Sequence, residues 1–277
     1  MPDKDENINK QLVVKEVIAK LKYFAKLYGI KSIFVVGGYC REHYFGKIWR
    51  VKDIDVASAY HEQARQLGGL FASEILHSAP KFYARTGTAA VEYPSEFGSM
   101  RVEFQGDSIN TYMHNQEVKA WMQSQGIDDV PLMNNIYGRD FTINSLIYSL
   151  HNEQMYDTTN LGIRDLERLR ICSLLPAPML IKYNPLAALR AIRFALQYDF
   201  HIDPDLRSAI KESGTDNLCK SLSTERIVKE VVKVLETNGP DALDMLKKFE
   251  LDRILLHPDV KKYVYLGSEV KGHEPPG

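Results

Sequence analysis

Along the first third of the chain the spacing of apolar residues alternates between helical and strand periods. From Lys10 to Tyr28 they fall at Val14, Val17, Ile18, Leu21, Phe24, Ala25 and Tyr28, the rhythm of a helix with one buried stripe, and Gly29 is a suitable stop. The charged residues before it, Met1 to Ile8, are expected to fray. Ile33-Phe34-Val35-Val36 is short, apolar and β-branched, which predicts a buried strand. It ends at Gly37-Gly38, and Tyr39 to Tyr44 suits a helix. A second alternating segment carries Asp53-Ile54-Asp55; on a strand, residues two apart share a face, so both carboxylates project from one edge while Ile54 enters the core.

Further on, Tyr60 to Leu76 reads as a helix weakened by Gly68-Gly69. Phe82 to Tyr93 and Met100 to Gln105 read as strands joined by a turn around Pro94 to Ser99. Asp107 to Tyr137 is polar and mixed, too long for a plain turn, and predicts a loop or lid with a short helix, anchored by Trp121. The apolar positions Phe141, Ile143, Leu146 and Ile147 suggest a helix begun at Asp140 or at Gly138 before it. Pro176 and Pro178 punctuate the chain, placing a domain boundary near Ile171 to Lys182 and dividing it into residues 1–172 and 173–277. From Pro185 onward the pattern is helical. Asn184-Pro185 starts a helix, Arg190 and Arg193 lie nearly on one of its faces, Ser223-Thr224-Glu225 starts another, and a helix pair runs from Pro240 to Leu256 before a loose tail from Lys261.

Bulk properties narrow the field modestly. The chain has 277 residues, room for one large domain or two modest ones with real cores. Lys plus Arg is 35 against 36 for Asp plus Glu, a balance that speaks against a large RNA footprint while leaving room for a local basic stripe. Cys40, Cys172 and Cys219 fit no zinc spacing and suggest reduced thiols. No apolar run reaches membrane-spanning length, and the N-terminus is polar rather than signal-like, so a soluble, cytoplasmic protein is expected, with no membrane partner.

The chemistry concentrates between Ser32 and Ser58. Two glycines between a strand and a helix let the backbone approach a ligand and turn its N–H groups toward a phosphate. Two hard oxygen ligands on a rigid strand beside such a turn suit Mg²⁺ bridging a nucleoside triphosphate. Two-metal phosphoryl transfer usually needs a third carboxylate, and Arg101-Val102-Glu103-Phe104 places Glu103 on a strand in the right order.

Gly37, Gly38, Arg41, Glu42, Gly46 and Lys47, followed by Asp53 and Asp55, resemble the nucleotidyltransferase superfamily that includes DNA polymerase beta. Within it, they resemble the bacterial-type (class II) tRNA nucleotidyltransferase and poly(A) polymerase family. Glu42 and Lys47 stand where that family usually has Asp and Arg. Arg85-Thr86-Gly87-Thr88 is similar to the strand before the third acid, and Gly138-Arg139-Asp140-Phe141-Thr142-Ile143-Asn144 resembles the Arg-Arg-Asp-Phe-Thr-x-Asn segment, with glycine in place of the first arginine. Asp157, Gly162 and Asp165 match a link between head and neck, as turn and hinge residues.

The resemblance implies an α+β fold: an N-terminal mixed-sheet nucleotidyltransferase head with flanking helices, then an all-helical neck and partial body. It implies a Mg²⁺-dependent, template-independent enzyme adding nucleotides, CCA-type or an A tail, from ATP or CTP to an RNA 3′ end, tRNA foremost, with release of pyrophosphate. Asp53 and Asp55 would hold the metal and Glu103 would complete the site or act as base. Gly37, Gly38, Arg41 and Arg139 would meet the phosphates and Asp140 the ribose, with Asn144 supporting. The neck would contribute Asn184, Arg190 and Arg193. There the family opens a helix with Glu-Asp-x-x-Arg, whose Asp and Arg read the incoming base; here Tyr183, Asn184 and Ala187 stand in those places while Arg190 remains. Asn184 can accept from an exocyclic amine without charge assistance, and Ala187 offers nothing, a loss on the order of 1–3 kcal/mol of base discrimination. The short extent beyond the neck suggests a smaller RNA grip. Transfer to a protein or small-molecule hydroxyl, and a non-catalytic RNA-binding role, stay open as alternatives.

Overall fold

The computed structural model describes residues 4–60, 62–77, 79–83, 87–105, 111–258 and 260–261. By packing, the chain divides into two units, Met1–Arg164 and Asp165–Gly277. The first is built on a seven-stranded mixed sheet. Its opening helix, α1 (Lys4–Leu27), begins within the segment expected to fray, because its first turn carries Asp5 and Glu6, charges that suit a helix N-terminus. β1 (Ile33–Val36), α2 (Gly38–Tyr44) and β2 (Asp53–Ser58) come next as predicted, with a 3₁₀ turn at Ile48–Arg50.

The helix α3 (Gln63–Leu76) runs unbroken through its two glycines. A Cβ on Gly68 would stand 2.6 Å from Phe104 Cγ, so the glycine serves close packing of helix on sheet rather than a break. The strand expected from Phe82 to Tyr93 is two, β3 (Lys81–Tyr83) and β4 (Thr88–Ser95), paired antiparallel. Residues 84–86, where Arg85 and Thr86 carried part of the family likeness, lie outside the described residues. β5 (Gly98–Phe104) returns in a tight hairpin with Ser95 opposite Gly98.

The expected lid is more ordered than its composition implied: after residues 106–110, which lie outside the described residues, come a 3₁₀ turn at Thr111–His114, α4 (Gln116–Ser124) and α5 (Pro131–Tyr137). Trp121 packs edge-on against Tyr137 at 6.1 Å. The helix expected from Asp140 is absent. Gly138 ends α5, Thr142–Asn144 makes a 3₁₀ turn, and β6 (Ile147–Ser149) and β7 (Met155–Tyr156) complete the sheet. A three-residue apolar spacing fits a turn feeding a buried strand as well as it fits a helix.

Strand order is β3-β4-β5-β2-β1-β6-β7, with β2 parallel to β5 and every other pair antiparallel. One face carries Ile33, Val35, Ile54, Val56 and Phe104, and the Phe104 ring packs tilted against Phe71, which meets Phe24 of α1. The other carries Val36, Ala57 and Ile147 against Ile136 of α5. Alternation along β2 therefore puts Asp53 and Asp55 on the α5 face.

In the second unit, α6 (Gly162–Glu167) spans the junction, and β8 (Arg170–Ile171) pairs with β9 (His201–Ile202). That ladder ties residues 170–171 to the later part of the chain, which is why packing divides the chain before residue 172. It also interrupts the all-helical neck. α7 (Ala177–Tyr183) begins at the two prolines read as punctuation, since proline is tolerated in a first helical turn. Then come α8 (Ala187–Tyr198), α9 (Pro204–Ser221, kinked at Gly214), α10 (Thr224–Thr237) and α11 (Gly239–Lys248), with a 3₁₀ turn at Asp252–Leu256. Among the described residues no helix is long and apolar enough to cross a membrane, and the three cysteines are free.

Candidate functional site

Strand register assembles the site. Asp55 lies opposite Val36 on one side and beside Glu103 on the other, and Asp53 lies beside Arg101. Because Gly37 comes directly after Val36, the glycine turn arrives at Asp55: a Cβ on Gly37 would sit 3.0 Å from Asp55 Oδ2 and 2.6 Å from Arg139 Nη1. With φ at 73° and a guanidinium against it, that position suits glycine for both conformation and space. The expected trio of glycine turn, aspartate pair and Arg139 is thus brought together.

Asp53 is exposed and Asp55 half-buried. Burial pushes the Asp55 carboxyl up to about 7; Arg139 pulls it back, Asp53 and Glu103 push it further up, and a hydrogen bond from Gln105 pulls it down. Three carboxylates thus face two guanidiniums here, Arg139 and Arg101. Two oxygen-ligand side chains in that condition fit a hard divalent cation. Among the described residues no three His, Cys, Asp or Glu side chains form a metal-holding group. Glu103 instead receives Arg101 Nε at 2.7 Å, and Arg101 Nη2 donates to the Tyr83 hydroxyl at 3.0 Å. A cation here would rest on Asp53 and Asp55, with Glu103 alongside.

Arg139 is held by residues that pattern reading passed over. Its Nε and Nη2 donate to Asn135 Oδ1 at 3.3 and 3.2 Å, and Asn135 Nδ2 donates to Gln105 Oε1 at 2.5 Å. Both signals stood in the sequence: Gln105 is two residues past Glu103, on the same strand face, and Asn135 is four before Arg139.

Arg41, Asp140 and Asn144 form a second group beside the glycine turn, with Arg41 Nη2 3.9 Å from where a Cβ on Gly38 would stand. Arg41 is 7 % exposed and its Nη1 donates to Asn144 Oδ1; Asn144 Nδ2 donates to Asp140 Oδ1 at 2.8 Å, which also accepts from the Phe141 amide at 3.0 Å. These three expected ligand contacts are engaged with one another, pinning α2 to the 3₁₀ turn at Thr142–Asn144. Gly38 opens α2. Asp157 behaves as a turn residue, accepting from the Thr159 and Ile163 amides.

The remaining candidates belong to the second unit. Asn184 ends α7, and Ala187 is buried at the start of α8. Arg193 Nε reaches Glu230 Oε1 of α10 at 2.5 Å, and the guanidiniums of Arg190 and Arg193 lie over the Phe194 ring at 5.4 and 4.3 Å. Arg193, expected to face a nucleotide, is thus engaged in holding α8 to α10.

Known proteins resemble this chain in sequence and in fold. The family model described as the poly A polymerase head domain matches residues 33–172, half of the chain. A second, described as the probable RNA and SrmB-binding site of polymerase A, matches residues 199–264. A tRNA nucleotidyltransferase of Schizosaccharomyces pombe is 35% identical over 114 residues, 39% of this chain and 23% of that protein. A CCA-adding enzyme of Lactobacillus helveticus is 30% identical over 207 residues, 74% of this chain and 46% of that one. The chain thus spans less than half the length of these curated relatives. A solved CCA-adding enzyme in complex with ATP superposes with a TM-score of 0.66 at 21% identity, over 87% of this chain and 51% of the other, a likeness of fold.

Proposed function

The chain belongs to the poly(A) polymerase head-domain family, and from that premise we propose that it transfers nucleotidyl groups from nucleoside triphosphates to an RNA 3′ end without a template. The observation that carries this reading is the meeting of Gly37, Asp55 and Arg139 on one face of the sheet at its central strands β1 and β2, with Asp53 two residues away on the same face. Asp53 and Asp55 would hold Mg²⁺, which when bound polarises the α-phosphoryl oxygens and favours deprotonation of the attacking hydroxyl. The RNA 3′ oxygen bonds to the α-phosphorus, the bond to the β-phosphate oxygen breaks, and pyrophosphate leaves with that electron pair. Glu103, beside Asp55, receives the hydroxyl proton. The Gly37 turn and Arg139 face the triphosphate and offset charge developing there. Arg41, Asp140 and Asn144 hold that turn in place.

Base choice is the weak part of the machinery. Asn184 and Arg190 remain to read an incoming base, while Ala187 offers only a methyl group and Arg193 is taken by Glu230. This favours loosened selection between ATP and CTP, on tRNA or on a less structured acceptor. The match of residues 199–264 to an RNA-binding model supports RNA over a protein or metabolite acceptor. Purified protein with Mg²⁺ and labelled ATP or CTP would be given tRNA ending before CCA, at C and at CC, beside an unstructured oligonucleotide. Extension of any of these supports the reading, and their pattern gives the nucleotide order; extension of none, with active chain confirmed by triphosphate binding, overturns it.

A further inference from the structure

Within the first unit, the face of the sheet opposite the carboxylates carries a cavity of about 530 Å³, lined by α1, α2 and β6. The register fixes its side: Tyr148 lies opposite Val35, whereas Asp55 lies opposite Val36, so the two side chains leave the sheet in opposite directions. A volume of that size suits a small molecule. Its floor is aromatic, with Tyr39 and Tyr148 buried and edge-on at 5.3 Å and the His43 ring 5.4 Å from Tyr148. Both phenol rings carry a hydroxyl into this wall.

Its rim is basic. Lys15, Lys22 and Lys26 line it from α1 against one acid, Glu153, which pairs with Lys22. The lining therefore carries three positive charges and one negative. Aromatic rings below and surplus ammonium groups at the mouth are complementary to a planar ring bearing an acidic group. We propose that this cavity is a second ligand site, separate from the carboxylate edge, that takes an aromatic acid: an aryl carboxylate or an aryl phosphate.

The test uses the full chain with ¹³C-labelled tyrosine, whose ring signals are assigned by single Tyr→Phe variants. The probes are naphthoate, naphthyl phosphate and the neutral naphthalenemethanol. Naphthoate or naphthyl phosphate should shift the Tyr148 and Tyr23 signals saturably, and whichever binds tighter names the acidic group. The neutral probe should bind about 10-fold more weakly. The double variant Lys15→Glu/Lys26→Glu, both residues being exposed, should weaken the acids about 10-fold while leaving the neutral probe unchanged. Lys15→Gln/Lys26→Gln repeats the measurement if charge reversal disturbs folding. Equal binding of acid and neutral probes, indifference to the lysine changes, no saturable shift, or shifts confined to Tyr112 and Tyr137 on other elements would each overturn the proposal.

Discussion

Two polar clusters in the first unit come from neighbouring motifs and are built on opposite terms. At the carboxylate edge, Asp53, Asp55 and Glu103 crowd negative charge until burial and repulsion hold the Asp55 carboxyl near 7. In the other, Arg41, Asn144 and Asp140 hydrogen-bond in a buried chain. A folding chain keeps a buried hydrogen-bonded chain because breaking it is costly. It keeps a crowd of like charges, offset only in part by Arg139 and Arg101, where something outside the chain offsets the rest. The two clusters should therefore answer substitution with opposite signs.

The largest effect is expected at the edge. Asp53→Asn with Asp55→Asn removes both candidate cation ligands, and transfer to RNA should fall on the order of 10³-fold or more, since metal stabilisation of the transition state is worth several kcal/mol. In chelator, at pH 8, the same protein should melt higher than the parent, by about 1–3 kcal/mol of stability, because a buried charge and the repulsion of its neighbours are both gone. A lower melting temperature would make the edge a structural network like its neighbour and remove the contrast.

Arg41→Ala should do the reverse. It strips Asn144 Oδ1 of its donor and takes one partner from the buried Glu42, so denaturant unfolding should lose about 3–5 kcal/mol. If stability is unchanged while triphosphate affinity collapses, Arg41 is a phosphate ligand after all. Gly37→Ala lies between the two clusters. Its methyl group would displace the Arg139 guanidinium and strain a backbone at φ 73°, with an expected cost of about 1–2 kcal/mol and weaker triphosphate binding that Arg139→Ala should reproduce without the strain.

The sequence carried the edge better than the network, for a physical reason. Alternation on a strand is local, so Asp53 and Asp55 could be placed on one face from their spacing alone. Their neighbours Gln105 and Asn135 are brought in by tertiary register, which no local period encodes, although each stood two or four residues from a residue already singled out. The fate of Arg41 was illegible in the same way. Its motif marks it as a phosphate contact, but its partner Asn144 is 103 positions away. In the second unit, Arg193 met the same end: helical spacing gave its face, and only packing supplied Glu230. The errors of secondary structure have another source. Gly68-Gly69 and Pro176-Pro178 were read as breaks, yet one glycine admits the Phe104 ring and the prolines start α7, uses that depend on what lies opposite.

The smallest effect sharpens the contrast most, since it uses the same chemical group. Glu16 of α1 accepts from the Tyr93 hydroxyl and the Ser95 hydroxyl, both at 2.6 Å, and these two bonds, Ser95 first, hold its carboxyl below the usual carboxylate range against the burial that raises it. A lowered pKa in the folded state means that the ionised form stabilises the fold. That contribution is complete above the unfolded value of about 4.3 and disappears as pH falls through the lowered folded value. Glu16→Gln keeps one acceptor and the shape while removing the charge, so at pH 7 it should cost about 1 kcal/mol, given the partial exposure of the site. The gap between variant and parent should narrow as unfolding is tracked downward from pH 5 through the lowered folded value of the parent's carboxylate. Asp55→Asn in chelator should show a gain at pH 7 where Glu16→Gln shows a loss. Two losses would mean that the carboxylate edge is held together on the same terms as the rest of the fold, and with that the case for a cation completing it would go.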